Sequence, residues 1–212
     1  MSKPKSLGIP KAYWEIEIRD KNGKLLERRQ FKSHSWLRQF IDWLRMCALQ
    51  LQTGSTVYTM TINDITNTAR TVPITSTTYA GGFCMGYNAP ANTSAYGLVV
   101  GSGDTPNSTT TYALASQIVH GSGSGQLVHG ATTVETVTNP SGGDFQFRVI
   151  RTFTNNSGAS VTVKEIGIYG NLIDTGASNR SFCIARDVLP SPSSIPDGAT
   201  MTLRYITKIT VS

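Results

Sequence analysis

The chain predicts a mainly β fold: an antiparallel β-sandwich or jelly-roll-like domain with one amphipathic helix near its N-terminus. Three observations carry this expectation. Period-two alternation of apolar and polar residues recurs along the chain with no strand-helix-strand rhythm. The composition is thin in charge, 15% Asp, Glu, Lys and Arg, and its many Thr, Ser, Asn and Gly suit strands and turns. One segment alone, near residues 36–52, has convincing helical spacing. At 212 residues the chain is long enough to bury a core without disulfide or metal staples.

Residues 1–11 place Lys3, Lys5 and Lys11 among Pro4, Gly8 and Pro10 without periodicity, which predicts an extended basic arm ahead of a single domain over 12–212. Tyr13 to Arg19 alternates, Asp20-Lys21-Asn22-Gly23 turns, and Lys24 to Gln30 returns as a hairpin. From Trp36 to about Gln52, Leu37, Phe40, Ile41, Leu44, Ala48 and Leu51 form a helical apolar stripe. Ser33-His34-Ser35 offers a serine cap, and Arg38, Gln39, Asp42 and Arg45 are expected to face away. Such a helix covers its own core or docks a partner. Trp36, Phe40 and Trp43 are the candidate docking residues, with Lys3, Lys5 and Lys11 as an aligning charge.

Val57 to Ile62 and the segment ending at Val72-Pro73 read as strands around a turn at Asn63 to Thr68. Residues 74–96 read as a long irregular connection. Its aromatics Tyr79, Phe83 and Tyr87 are the recognition candidates, because aromatic faces suit sugar stacking. Tyr96 to Gly101 is a strand that enters Gly101-Ser102-Gly103-Asp104-Thr105-Pro106. No G-K-[ST] follows, so a phosphate loop is rejected. Tyr112 to Ile118 predicts about two helical turns, and β alternation resumes over Gln126 to Val137. Asp144 to Gly170 reads as a hairpin about Asn155-Asn156-Ser157-Gly158, with Phe145, Phe147, Val149 and, after a slip near Ile150, Phe153 on one face. Asn171 to Asn179 reads as a polar loop and Ser181 to Arg186 as a short strand. Pro190 to Pro196 reads as a broken link, and Thr200 to Val211 as the last strand.

Residues 1–45 hold 11 Lys and Arg against 5 Asp and Glu, and the remainder is balanced at 8 against 8. The basic residues alternate with acids and lack a recognition motif, so nucleic acid is not the expected partner. Cys47, Cys84 and Cys183 form no C-x-x-C pair, and His34, His120 and His129 are dispersed. Loop or surface positions are expected for the histidines and reduced thiols for the cysteines, with no metal and no cofactor. Asp20, Asp104, Asp174 and Asp197 sit in turns, where Asp has a structural use. With no G-x-S-x-G elbow, the chain reads as a non-enzyme. The N-terminus has no secretory pattern and no apolar span reaches 18 residues, which predicts synthesis in a cytoplasm and no membrane insertion.

Several segments carry a resemblance: G-L-V-V-G-S-G-D-T-P at 97–106, Tyr112-Ala113-Leu114 with Ile118, F-R-V-I-R-T-F-T-N-N-S-G at 147–158, V-T-V-K-E-I-G-I-Y-G at 161–170, A-R-D-V-L at 185–189, and I-P-D-G-A-T-M-T-L-R-Y at 195–205. In this order they resemble the structural β-proteins of tailed-bacteriophage virions, of capsid-decoration or tail and fibre-attachment type. The resemblance covers about the last 120 residues and leaves out the N-terminal hairpin and helix. It implies a virion location, capsid or tail proteins as partners, and a homo-oligomer with a trimer as the leading number. The alternative expectation is a receptor- or carbohydrate-recognition module of a fibre.

Overall fold

The computed structural model describes residues 11–34, 36–48, 59–73, 86–140 and 144–210. In chain order the elements are β1 (Lys11–Arg19), β2 (Leu25–Lys32), α1 (Arg38–Ala48), β3 (Thr59–Asn63), β4 (Ala69–Pro73), β5 (Gly97–Gly101), β6 (Val128–His129), β7 (Thr133–Val134), β8 (Asp144–Thr154), β9 (Val161–Ile173), β10 (Asn179–Ile195) and β11 (Thr200–Thr210). The chain is mainly β, and these strands pair antiparallel throughout. The larger sheet runs β2-β1-β11-β8, with β6 and β7 both along the far side of β8; a second runs β10-β9-β5, and β3 and β4 make a separate hairpin. Trp14, Ile16, Phe153 and Leu203 of the larger sheet meet Val100, Ile166 and Phe182 of the second in one apolar cluster, joined by Ile62 and Val72 of the small hairpin.

Alternation explains the placement of β1. Trp14, Ile16 and Ile18 are fully buried, while Glu15 and Glu17 point outward and meet Arg204, Arg28 and Arg19 from both sides. Lys11 is not part of an arm. It is the first residue of β1, paired with Lys208, because the ladder to β11 supplies backbone partners that an isolated arm lacks. Residues 1–10, with Lys3 and Lys5, lie outside the described residues.

The expected hairpin from Asp144 to Gly170 does not form. β8 pairs with β11 in the larger sheet and β9 pairs with β10 and β5 in the second, so the turn between them is an arch from one sheet to the other. Asn155 makes the difference. Its side chain is fully buried, and Nδ2 donates to the carbonyls of Ala159 and Ile195, each at 2.7 Å. Oδ1 accepts from Ser157 N and Oγ at 3.0 and 2.8 Å. The backbone of Asn155 meets Ala199 and Gly198, at the start of β11. The amide thus replaces the ladder bonds a hairpin would have made, and Gly158, at φ 81°, reverses the chain.

No slip occurs near Ile150, since the register of β8 with β11 is unbroken. The inward position between Val149 and Phe153 is taken by Arg151, which is 1% exposed. Phe145 is 46% exposed instead of buried. Arg151 is held by backbone carbonyls: Nε donates to Gly130 at 2.8 Å, Nη1 to Tyr96 and Leu98 at 3.0 and 2.9 Å, and Nη2 to Thr93 at 2.6 Å. Burial lowers its pKa to about 10, so the cation persists at neutral pH and fixes segments that lack regular structure. His129 lies beside it. Contrary to the expectation of a surface histidine, His129 is fully buried, with its ring centroid 4.9 Å from Phe153 and 5.8 Å from His120.

Three turns share one construction. At Asp20, Asp64 and Asp174 the carboxylate accepts the backbone N–H groups two and four residues on, and the residue three positions on has positive φ: Gly23, Asn67 and Ala177. In the last two, Arg70 and Arg180 close the second oxygen at 2.7 Å. The expected loop at Asn171 to Asn179 is therefore a tight hairpin tip. It docks on its counterpart through Thr175 N to Thr71 O and Ile65 N to Ser181 O, at 2.9 and 3.0 Å. β10 also runs farther than expected, through Pro190 and Pro192. Both prolines lie where register with β9 is lost, between Val188 and Ser193, so neither must donate to that ladder.

Two outcomes test this description. Asn155→Ala leaves buried carbonyls without donors, and the expected loss is on the order of 3 kcal/mol by urea unfolding; a loss under about 1 kcal/mol would fit an ordinary hairpin turn instead. For His129, burial and the nearby Arg151 charge lower the pKa to about 4, below the unfolded value of about 6.5. The unfolded chain therefore takes up a proton first as pH falls, and stability present above about 6.5 is lost progressively down to about 4. Unfolding free energy should drop by on the order of 2 kcal/mol between pH 7 and pH 5. His129→Gln should flatten that slope.

Candidate functional site

The second sheet is covered on the side away from the main cluster. By two-residue alternation β9 sends Ile166 and Ile168 to the main cluster and Glu165 and Tyr169 to the other face. There Tyr169 packs with Val99, Leu37, Leu114 and Cys183 in a second apolar cluster. Burial pushes the Tyr169 phenol and the Cys183 thiol far above their usual ranges. Cys84 and the side chain of Cys47 lie outside the described residues.

Glu165 and Arg186 form an ion pair inside this layer, Nε to Oε2 at 2.6 Å, with side chains 0% and 2% exposed. Glu165 Oε1 also accepts from the N–H groups of Gly103 and Ser116 at 3.2 and 2.7 Å, and Oε2 from Ala115 at 2.9 Å. Tyr169 Oη accepts from Leu114 N at 2.8 Å. These bonds explain why Tyr112 to Ile118 is not helical: the N–H groups of Leu114, Ala115 and Ser116 serve the second sheet rather than a helix. The glycines of Gly101-Ser102-Gly103 leave room for the carboxylate, because a Cβ at either would stand 2.5 or 2.6 Å from Glu165 Oε1.

Arg186 extends the network to the surface. Nη1 donates to Asn107 Oδ1 and Nη2 to Thr105 O, at 2.6 and 2.7 Å, and Asn107 Nδ2 returns a bond to Arg186 O at 2.6 Å. The loop from Asn107 is thereby fixed as one wall of a groove. The opposite wall is the start of α1, anchored by Leu37 N to Ile184 O at 2.8 Å. Two adjoining pockets lie between them, of about 380 and 650 Å³, with Arg38, Thr109 and Thr110 common to both.

The expected helix began at Trp36 with a serine cap and a buried stripe of Ile41 and Leu44. Instead α1 starts at Arg38, Trp36 bridges Ala185 on the edge of β10, and Ser33 Oγ donates to Asp187 rather than capping the helix. Ile41 and Leu44 are exposed while Gln39 is buried, because the groove wall offers Thr111 O to the glutamine amide at 3.2 Å. Residues 49–52 of the expected helix lie outside the described residues.

The docking candidates separate accordingly. Trp36 is 45% exposed at the groove, and its ring lies 4.6 Å from that of the half-buried Phe40. The side chain of Trp43 is outside the description. Among the loop candidates, Tyr79 and Phe83 are also outside the described residues, and Tyr87 is half-buried with its ring packed against the main core. Sequence reading missed Gln39, Asn107 and the loop at Thr109. Their only signal was a polar residue interrupting an apolar stripe and a polar run after Pro106.

Among the described residues no group of three or more His, Cys, Asp or Glu side chains is placed to hold a metal, and no helix is long and apolar enough to cross a membrane. No protein-family model matches the chain, and no curated protein or solved structure matches it either.

Glu165→Gln is the sharpest test of the buried network. The amide nitrogen must face either Arg186 or the backbone donors, so in both orientations donor meets donor. The expected loss is about 3 to 5 kcal/mol of unfolding free energy. An unchanged stability would mean that the pair is not desolvated.

Proposed function

We propose that this chain is a non-enzymatic structural component of a tailed-bacteriophage virion, a β-sandwich that assembles with copies of itself or with capsid or tail proteins. The observation that carries the reading is where the resembling segments come together. Gly101, Gly103 and Thr105 from the first, Glu165 from another and Arg186 from a third meet in one buried network. Asn155, Gly158, Asp197 and Gly198 from two more close the arch. The polar residues of these segments are spent on architecture, which is the use a structural protein makes of them.

An edge of the larger sheet supports assembly. Val134 of β7, Phe145 of β8 and Val137 in the segment between them are 44%, 46% and 66% exposed, and this neighbourhood is tied by Val134 to Val149 and Thr138 to Gln146. Apolar side chains beside a strand edge favour association with a second protein surface. The trimer remains the leading number on the resemblance, and the virion its location.

Mass spectrometry of purified particles should find the chain, and light scattering should show an oligomer that Val137→Asp weakens without loss of folding. A strict monomer at high concentration, together with absence from particles, would remove this reading.

A further inference from the structure

The groove beside α1 has a chemistry that assembly does not use. Its lining is dominated by neutral groups that both donate and accept, among them Gln39, Asn63, Asn67, Thr109 and Tyr112. Formal charge is nearly cancelled, because Arg38 stands 3.5 Å from Asp42. Gln39 is 6% exposed. The bond from its Nε2 to Thr111 O fixes which way the amide points, and its buried Oε1 has no partner among the described residues. That oxygen calls for a donor. Phosphates and carboxylates offer only acceptors, whereas a hydroxyl supplies the proton.

The adjoining pocket adds the apolar half. Trp36 lies on its wall, and Trp36 Nε1 donates to Tyr205 Oη at 2.7 Å, which orients the indole before any ligand arrives. An indole face stacks on the C–H face of a pyranose, while the surrounding hydroxyls and amides bond its equatorial oxygens. Two such pockets side by side, each large enough for a single ring, suit a chain of sugars rather than one. The walls are also preorganised, through Asn107 and Arg186 on one side and Leu37 and Ile184 on the other, which lowers the ordering cost of binding.

We propose that this groove is a binding site for a neutral oligosaccharide of at least two units, with Trp36 as stacking platform and Gln39, Asn63 and Asn67 as hydroxyl partners. The inference is independent of virion assembly: particle composition decides that reading, and sugar binding by the purified chain decides this one.

Saturation-transfer NMR on the full chain would use maltose, lactose, mannobiose and chitobiose as neutral probes, with inorganic phosphate and sialic acid as anionic ones. At least one neutral disaccharide should receive transfer and the anions none. Asn67→Gly keeps the left-handed turn at φ 59° while removing the amide, so folding is preserved, and affinity for that sugar should fall several-fold. Trp36→Ala should weaken it by about tenfold or more. The proposal is overturned if no disaccharide receives transfer, if only the anions bind, or if Asn67→Gly binds the sugar as tightly as the parent chain.

Discussion

The Glu165–Arg186 pair is the constraint on which the covered face of the second sheet depends. Two charges removed from water are unfavourable unless every lone pair and proton finds a partner. The carboxylate accepts from Gly103, Ala115, Ser116 and Arg186, and the guanidinium reaches Asn107 and Thr105. Each partner belongs to the segment between β5 and β6, which has little regular structure of its own. The pair therefore decides where a long connection lies, and through Asn107 it decides the shape of the groove.

Asp187, the next residue of β10, plays a similar part on the opposite face. It accepts from Trp14 Nε1 and Ser33 Oγ, both at 2.7 Å, and from His34 N at 3.1 Å. Trp36 then bonds Tyr205 across the same junction. The crossing from β2 to α1 is thus tied to both sheets. Adjacent residues on one strand, Arg186 and Asp187, organise two regions with no contact in sequence.

What was legible in the sequence follows from locality. β11 and the β1–β2 hairpin were read correctly from alternation and from Asp20-Lys21-Asn22-Gly23, because period and turn chemistry are written within a few residues. The arch was not, since a reversal at Asn155-Asn156-Ser157-Gly158 looks the same whether the flanking strands pair with each other or with strands far along the chain. Arg151 interrupts an apolar phase, and its carbonyl partners are scattered over 93–130, so alternation alone suggested a slip. The phase of α1 failed for the same reason: Thr111 O, distant in sequence, draws Gln39 inward. Of the groove, only Trp36 was singled out in advance.

The pairing of β1 with β11, Lys11 opposite Lys208 and Arg19 opposite Thr200, carries a kinetic consequence. β1 needs its partner from nearly two hundred residues later, and until that strand is available the β1–β2 hairpin has one edge of unpaired backbone groups and a face that bears Trp14, Ile16 and Ile18. Contacts of such sequence separation make folding slow, because loop closure precedes the reward. On a translating ribosome the larger sheet cannot close while β11 is still in the exit tunnel. The nascent chain thus passes through a stage with an open strand edge beside an apolar face, and crowded synthesis of many copies makes intermolecular pairing the competing fate.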